Sequence, residues 1–319
     1  MKPPYYITSE IISLISSISE KLGAINATHI QSPKTELRKT NRIKTIQASL
    51  EIEGNTLTID QVTALIENKR VIAPQKDILE VKNAILVYDD ISKLKASNMS
   101  SFLKAHSILM KGLVRTPGKY RSEGAGIVKG SKLTHLAPKA GMVKALINQL
   151  FDYIKKEKDS LLIKSCVFHY ELEFIHPFED GNGRMGRLWQ TVILKDLNPI
   201  FTYLPVESII KQRQSEYYDA LEVSDKSGNS TVFIEFMLGA VNKALEEILE
   251  VPRASLTSEE RLNFFGKNQG QNEFSRKDYL KYFKEISSAT ASRDIKTAVE
   301  QKLIRKTGDK RTAIYCFKK

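Results

Sequence analysis

His176-Pro177-Phe178-Glu179-Asp180-Gly181-Asn182-Gly183-Arg184-Met185-Gly186-Arg187 brings a histidine, acidic side chains, glycines, an amide and two arginines into twelve consecutive residues, a mixture suited to a polyphosphate. The flanks say what geometry the stretch takes. Leu161-Leu162-Ile163 through Phe174-Ile175 is apolar at helical spacing, and Leu188-Trp189-Gln190-Thr191-Val192-Ile193-Leu194 is apolar again after the glycines. The twelve residues are therefore expected as a loop joining two largely buried helices.

Gly181 and Gly183 open backbone conformations in which consecutive N–H groups converge on an anion. The next helix is expected to begin near Gly183 or Arg184, and its free N–H groups and positive dipole end add to the same site. Arg184 and Arg187, three apart on its first turn, each offer a planar fork to phosphate oxygens. Asp180 is a hard oxygen ligand where a Mg²⁺ between two phosphates would sit. Asn182 can donate its amide to a phosphate oxygen without adding charge. His176 is the one side chain here able to take a proton near neutral pH. A plain turn needs no second glycine, no histidine and no paired arginines. A Walker loop is excluded because no Gly-Lys-Ser/Thr ending follows, and a dinucleotide fingerprint because a helix rather than a strand precedes the glycines.

The run resembles the Fic motif, His-Pro-Phe-x-Asp/Glu-Gly-Asn-Gly-Arg-x-x-Arg, at every defined position. The resemblance implies a mainly α fold: a Fic-type helical bundle with a β-hairpin flap. It further implies ATP and Mg²⁺ as substrate and cofactor, and transfer of AMP to a Ser, Thr or Tyr hydroxyl of a protein. In that reading His176 deprotonates the hydroxyl and Asp180 holds the metal. Gly181, Asn182 and Gly183 cradle the phosphates, Arg184 and Arg187 neutralise the pyrophosphate side, and Phe178 anchors the loop in the core.

Ser49-Leu50-Glu51-Ile52-Glu53-Gly54-Asn55 resembles the inhibitory motif of the same family, Ser/Thr-x-x-x-Glu-Gly/Asn. It implies a buried Glu53 carboxylate beside Arg187, occupying the arginine that should hold the γ-phosphate. Ser49 and Glu53 are equally what an ordinary helix and its glycine stop would show.

Between Arg121 and Pro138, two runs flank Gly130-Ser131, a pair suited to a two-residue hairpin turn. In Fic proteins such a flap binds the target's main chain by adding a strand, which makes Ile127, Val128, Lys129, Leu133, Thr134 and His135 the expected target contacts. Downstream, Gln214 to Glu222 resembles the helix bordering the nucleotide base. Tyr218 and Leu221 are the candidates for adenine, although both also suit an amphipathic core. Asp225 stands where some relatives carry an adenine-binding Asn.

The chain has 319 residues, 41% of them hydrophobic, enough for two or more domains with real cores. Met1-Lys2-Pro3-Pro4 lacks the apolar run of a signal peptide and no stretch reaches the length of a membrane span, so a cytoplasmic protein without a membrane partner is expected. Cys166 and Cys316 lie far apart and are expected as free thiols, the first buried. With five histidines and no paired Cys spacing, a zinc site has no support. Composition suggests an N-terminal helical region (1–95) carrying the inhibitory motif, a Fic catalytic core (96–251) with a helix from Thr231 to Leu249, and, after a linker at Pro252 to Ser258, a small domain (256–319).

That last domain carries fifteen Lys/Arg against eight Asp/Glu, over half of the chain's net charge of +12. A short capped helix at Phe274 to Leu280, a turn and second helix from Ile286, and two strands around Gly308-Asp309-Lys310-Arg311 resemble a winged helix-turn-helix, with Thr290 to Gln301 as the recognition helix and the Gly308 turn as the wing. On DNA, Ser292, Arg293 and Lys296 would face the duplex, while Lys310 and Arg311 would meet phosphates. Winged helices also dock proteins, and a charge of this size is often a solvated face. Two other readings of the chain stay open: removal of AMP by the same site with Glu53 positioning a water, and a DNA-binding regulator whose Fic domain senses nucleotide. So does a homo-oligomer that governs release of Glu53.

Overall fold

The computed structural model describes residues 2–27, 35–124, 126–129, 132–249, 257–269, 273–283, 286–309 and 313–318. The chain divides into two compact units, one of residues 1–24 and 31–246, the other of residues 25–30 and 247–319. In chain order the first carries helices α1 (Ser9–Ala27), α2 (Thr35–Ile52), α3 (Ile59–Ile66), α4 (Gln75–Asp89) and α5 (Met99–Leu109). A hairpin of β1 (Gly126–Lys129) and β2 (Lys132–Leu136) follows. Then come α6 (Ala140–Lys156), α7 (Leu161–Ile175), α8 (Asn182–Leu194), α9 (Val206–Gln212), α10 (Gln214–Ser227) and α11 (Thr231–Leu249). The fold is mainly helical, as the sequence predicts.

Local chemistry sets the boundaries that matter for the site. Ser160 caps α7 by accepting a hydrogen bond from Leu162 N at 3.3 Å. The helix ends where His176 turns left-handed (φ 50°, ψ 60°), a conformation uncommon outside glycine. Gly181, also left-handed at φ 84°, caps the start of α8 one residue earlier than the glycine pattern suggests. α2 stops at Ile52, and Gly54 takes φ 92° in the turn that follows Glu53.

The loop between α7 and α8 sits on an aromatic core. Phe102 of α5 lies 5.1 Å from Trp189 of α8 and 5.4 Å from the loop's Phe178, ring centre to ring centre, and Phe151 of α6 lies 5.4 Å from Phe168 of α7. Trp189 is fully buried and donates its indole N–H to Ala96 O at 3.1 Å. Each such ring contributes about 1.5–3 kcal/mol by leaving water. The loop is thereby anchored on this buried aromatic cluster through Phe178.

β1 and β2 pair antiparallel, Lys129 facing Lys132, with an irregularity between Ile127 and Val128. The connecting Gly130-Ser131 and the side chains of Ile127, Val128, Lys129, Leu133, Thr134 and His135 lie outside the described residues.

The second unit contains α12 (Ser258–Gln269), β3 (Phe274–Ser275), α13 (Arg276–Tyr282), α14 (Ser288–Glu300), β4 (Ile304–Thr307) and β5 (Ile314–Phe317). β3 is a two-residue strand that composition does not signal. It pairs with β5, giving an antiparallel sheet in the order β3-β5-β4. Ser275 and Asp278 form a capping box at α13, and Ser287 caps α14. The core of this unit includes Phe265, Phe274, Tyr279 and Phe283, and Arg261 forks onto the buried carboxylate of Asp294 at 2.6 and 2.9 Å. No described helix in the chain is long and apolar enough to cross a membrane.

Candidate active site

Asn182, the first residue of α8, sits deep in the loop. Its side-chain oxygen accepts from Phe178 N at 2.9 Å and its amide donates to Phe178 O at 3.1 Å. The side chain that sequence reasoning assigns to a phosphate is here a brace across the loop, which leaves the backbone N–H groups of the α8 terminus as the anion-facing donors. Phe178 anchors the loop: it is fully buried and stacks on His106 at 3.6 Å with the rings 8° apart.

Asp180 Oδ1 accepts from Gly181 N at 2.6 Å and lies 3.2 Å from Arg184 Nη2. Its side chain is about half exposed, so the carboxylate is presented to whatever enters the site. Among the described residues no three His, Cys, Asp or Glu side chains converge on a point. A Mg²⁺ would fit the hard oxygen of Asp180 only together with oxygens from a bound phosphate.

Arg184 and Arg187 are both buried, and each is met by a carboxylate from the N-terminal helices. Arg184 Nη1 donates to Glu80 Oε1 of α4 at 3.0 Å. Arg187 Nη2 donates to Glu53 Oε1 at 2.7 Å and to Ser49 O at 2.9 Å, while its Nε donates to Ser49 Oγ at 3.1 Å. Burial works against the charge of Arg187, but Glu53 and neighbouring Tyr217 outweigh it and raise the guanidinium's pKa above its ordinary value. The arginine is permanently cationic.

Glu53 itself differs from the buried carboxylate expected: its side chain retains 29% exposure, because it projects from the turn after α2. It nevertheless closes on Gly183 and Arg187. A Cβ placed on Gly183 would lie 2.4 Å from Glu53 Oε1. The carboxylate thus rests against the first turn of α8, where only a glycine leaves room for it.

His176 is half-buried, and its Nδ1 is enclosed without a hydrogen-bond partner. Three residues back, Glu173 is buried: burial alone would raise its carboxyl, but His169, His176 and Arg187 lower its pKa below the ordinary value. On α10, Tyr218 is 36% exposed with its hydroxyl 3.4 Å from Ile52 O, and Leu221 is half-buried. Asp225 accepts from the Tyr170 hydroxyl at 2.9 Å.

Three residues at the site were not singled out from sequence. Glu80 looks like any polar position of α4, yet it also takes Asn55 Nδ2 at 2.7 Å. His106 Nε2 donates to Asp180 O at 3.0 Å, and its Nδ1 accepts from Gly118 N at 2.8 Å. The second bond makes Nδ1 the acceptor, so Nε2 carries the proton to Asp180 O. Burial depresses its pKa to about 4, keeping the ring neutral. Arg121 reaches the backbone of the loop itself.

In the second unit, Arg293 and Lys296 are exposed on α14, Ser292 is half-buried and accepts from Arg276 Nη1 at 2.9 Å, and Lys310 and Arg311 lie outside the described residues. Cys166 is buried and Cys316 half-buried, and neither forms a disulfide.

The Fic/DOC family model matches residues 97–194. A solved structure of a Fic family protein from Desulfovibrio desulfuricans G20 is 41% identical, superposes with a TM-score of 0.77, and covers 100% of this chain and 98% of its own. Proteins named protein adenylyltransferase Fic from Drosophila mojavensis and Nematostella vectensis are 28% and 27% identical over 75% and 76% of this chain. The chain spans 49% and 56% of those two relatives, about half their length.

Proposed function

The chain belongs to the Fic family, and from that membership and the site above we propose that it transfers AMP from ATP to a hydroxyl side chain of a protein, restrained by Glu53. The observation that carries the reading is the Glu53 carboxylate lodged against Gly183 and Arg187, an anion seated where a phosphate would go.

In this account the target hydroxyl attacks the α-phosphorus. The new bond is from that oxygen to phosphorus, and the bond to the β-phosphate oxygen breaks, releasing pyrophosphate. His176 takes the hydroxyl proton. With Nδ1 enclosed, Nε2 is the nitrogen that faces the substrate. The N–H groups opening α8 and the guanidiniums of Arg184 and Arg187 stabilise negative charge on the phosphates and the leaving group. Asp180 would hold a Mg²⁺, which when bound neutralises phosphate charge. Tyr218 and Leu221 border the base, and the hairpin receives the target's main chain.

While Glu53 holds Arg187, that guanidinium is withheld from ATP and the nucleotide sits unproductively. The test of the chemistry is a pair of labels: the α-label of ATP should remain on protein and the γ-label should not. Retention of the γ-label would mean phosphate transfer instead.

For the second unit we infer a winged-helix fold, on the strength of its α12-β3-α13-α14-β4-β5 order and antiparallel sheet, and take protein docking as its role. Binding of duplex DNA that weakens steeply with salt, as counterion release requires, would overturn the docking reading in favour of DNA.

A further inference from the structure

The structure assigns to Arg121 a positioning role: it fixes the backbone of His176 and, through the same guanidinium, the two ends of the hairpin, so that base and target-binding strand are held in one register. This rests on the adenylyl-transfer reading.

Arg121 is 8% exposed and its partners are backbone carbonyls. Nε donates to His176 O at 2.7 Å, and Nη2 reaches Ile175 O at 3.3 Å. Its own backbone N–H donates to Pro177 O at 2.9 Å. One residue thereby satisfies three successive carbonyls around the turn in which His176 is left-handed, a conformation that persists only where its surroundings fix it. The other face of the fork points to the hairpin. Nη1 donates to Glu123 O at 2.6 Å, three residues before β1, and Nη2 to Pro138 O at 2.5 Å, two residues after β2.

Geometry makes this specific to arginine. Five N–H donors in a rigid plane can hold carbonyls on opposite sides at once, whereas a lysine ammonium gathers its three donors at one point. The target adds to the hairpin and the proton goes to His176, so the distance between them decides whether the hydroxyl meets the imidazole. A misplacement of about 1 Å can reduce a rate by about a hundred-fold.

The test compares Arg121→Lys and Arg121→Gln, each in a full-length Glu53→Gly chain, with Glu53→Gly alone. We expect AMP transfer at saturating ATP to fall at least about ten-fold while the Kd for a non-hydrolysable ATP analogue stays within about three-fold. Amide hydrogen exchange should rise together at residues 123–138 and 175–178. Unchanged transfer, a parallel loss of nucleotide affinity, or faster exchange in only one of the two segments would overturn the assignment. So would loss of the folded state in both variants by circular dichroism, which would make the role purely structural. If Glu53→Gly alone transfers no AMP, the adenylyl-transfer reading has failed, and the joint rise in exchange still decides the coupling by Arg121.

Discussion

Glu80 Oε1 lies 3.0 Å from Arg184 Nη1, and its other oxygen accepts from Asn55 Nδ2 at 2.7 Å, so α4 joins the residue after the Glu53-Gly54 turn to the first arginine of α8. Arg184 and Arg187 are therefore both held from the N-terminal side. Removing one partner of a buried pair usually costs about 3–5 kcal/mol, but Asp180 remains 3.2 Å from Arg184 and reduces the loss. Glu80→Ala should lower stability by about 2 kcal/mol in urea denaturation. It should also raise AMP transfer, because Asn55 keeps its bond to Asp77 O at 3.1 Å but loses the shorter one to Glu80, and the Glu53 turn loosens. A variant as restrained as the wild type would separate Glu80 from the restraint.

His106 gives the site a pH dependence of known sign. Its folded pKa, about 4 because of burial, lies below the 6.5 of an unperturbed ring. The unfolded chain then binds the proton first, so the stability from a neutral His106 is complete above about pH 6.5 and lost as pH falls through about 4. The full effect is on the order of 3 kcal/mol. Denaturation midpoints at pH 7 and pH 4.5 should drop further for the wild type than for His106→Gln; equal drops would contradict the neutral imidazole.

The two thiols should behave differently. Burial pushes the Cys166 thiol up to about 12, and it lies fully enclosed on α7, whereas Cys316 is half-buried. A chromogenic disulfide reagent at pH 8 should titrate one thiol in the native protein and a second only in denaturant. Two fast thiols would mean that α7 opens.

How much of this was legible beforehand depends on where the chemistry lies along the chain. His176 to Arg187 is contiguous, so its residue types announce an anion site directly. Ser49 and Glu53 could be matched to Arg187 because their spacing is itself a pattern. Glu80, His106 and Arg121 were not visible, since each comes from an element far upstream, and two of them bond backbone atoms that leave no trace in residue type. Asn182 read as a ligand because its amide is polar; packing turned it inward to Phe178. β3 spans only Phe274 and Ser275, too short for any alternation to show.

In the second unit, Asp294 is 1% exposed and receives both the Arg261 fork and the Tyr279 hydroxyl at 3.1 Å. Asp294→Asn removes the buried negative charge that faces the Arg261 guanidinium and should destabilise this unit by about 3 kcal/mol. Near-ultraviolet circular dichroism of its tyrosines during thermal unfolding would record the earlier transition. An unshifted transition would show that the pair contributes no net stability.

The central claim is that Glu53 restrains an adenylyl transfer for which His176 takes the proton. Incorporation of label from α-labelled ATP with Mg²⁺ should be low in the wild type, at least about ten-fold higher in Glu53→Gly, and absent in Glu53→Gly with His176→Ala. Equal incorporation by the wild type and Glu53→Gly, or label that survives loss of His176, would contradict the account.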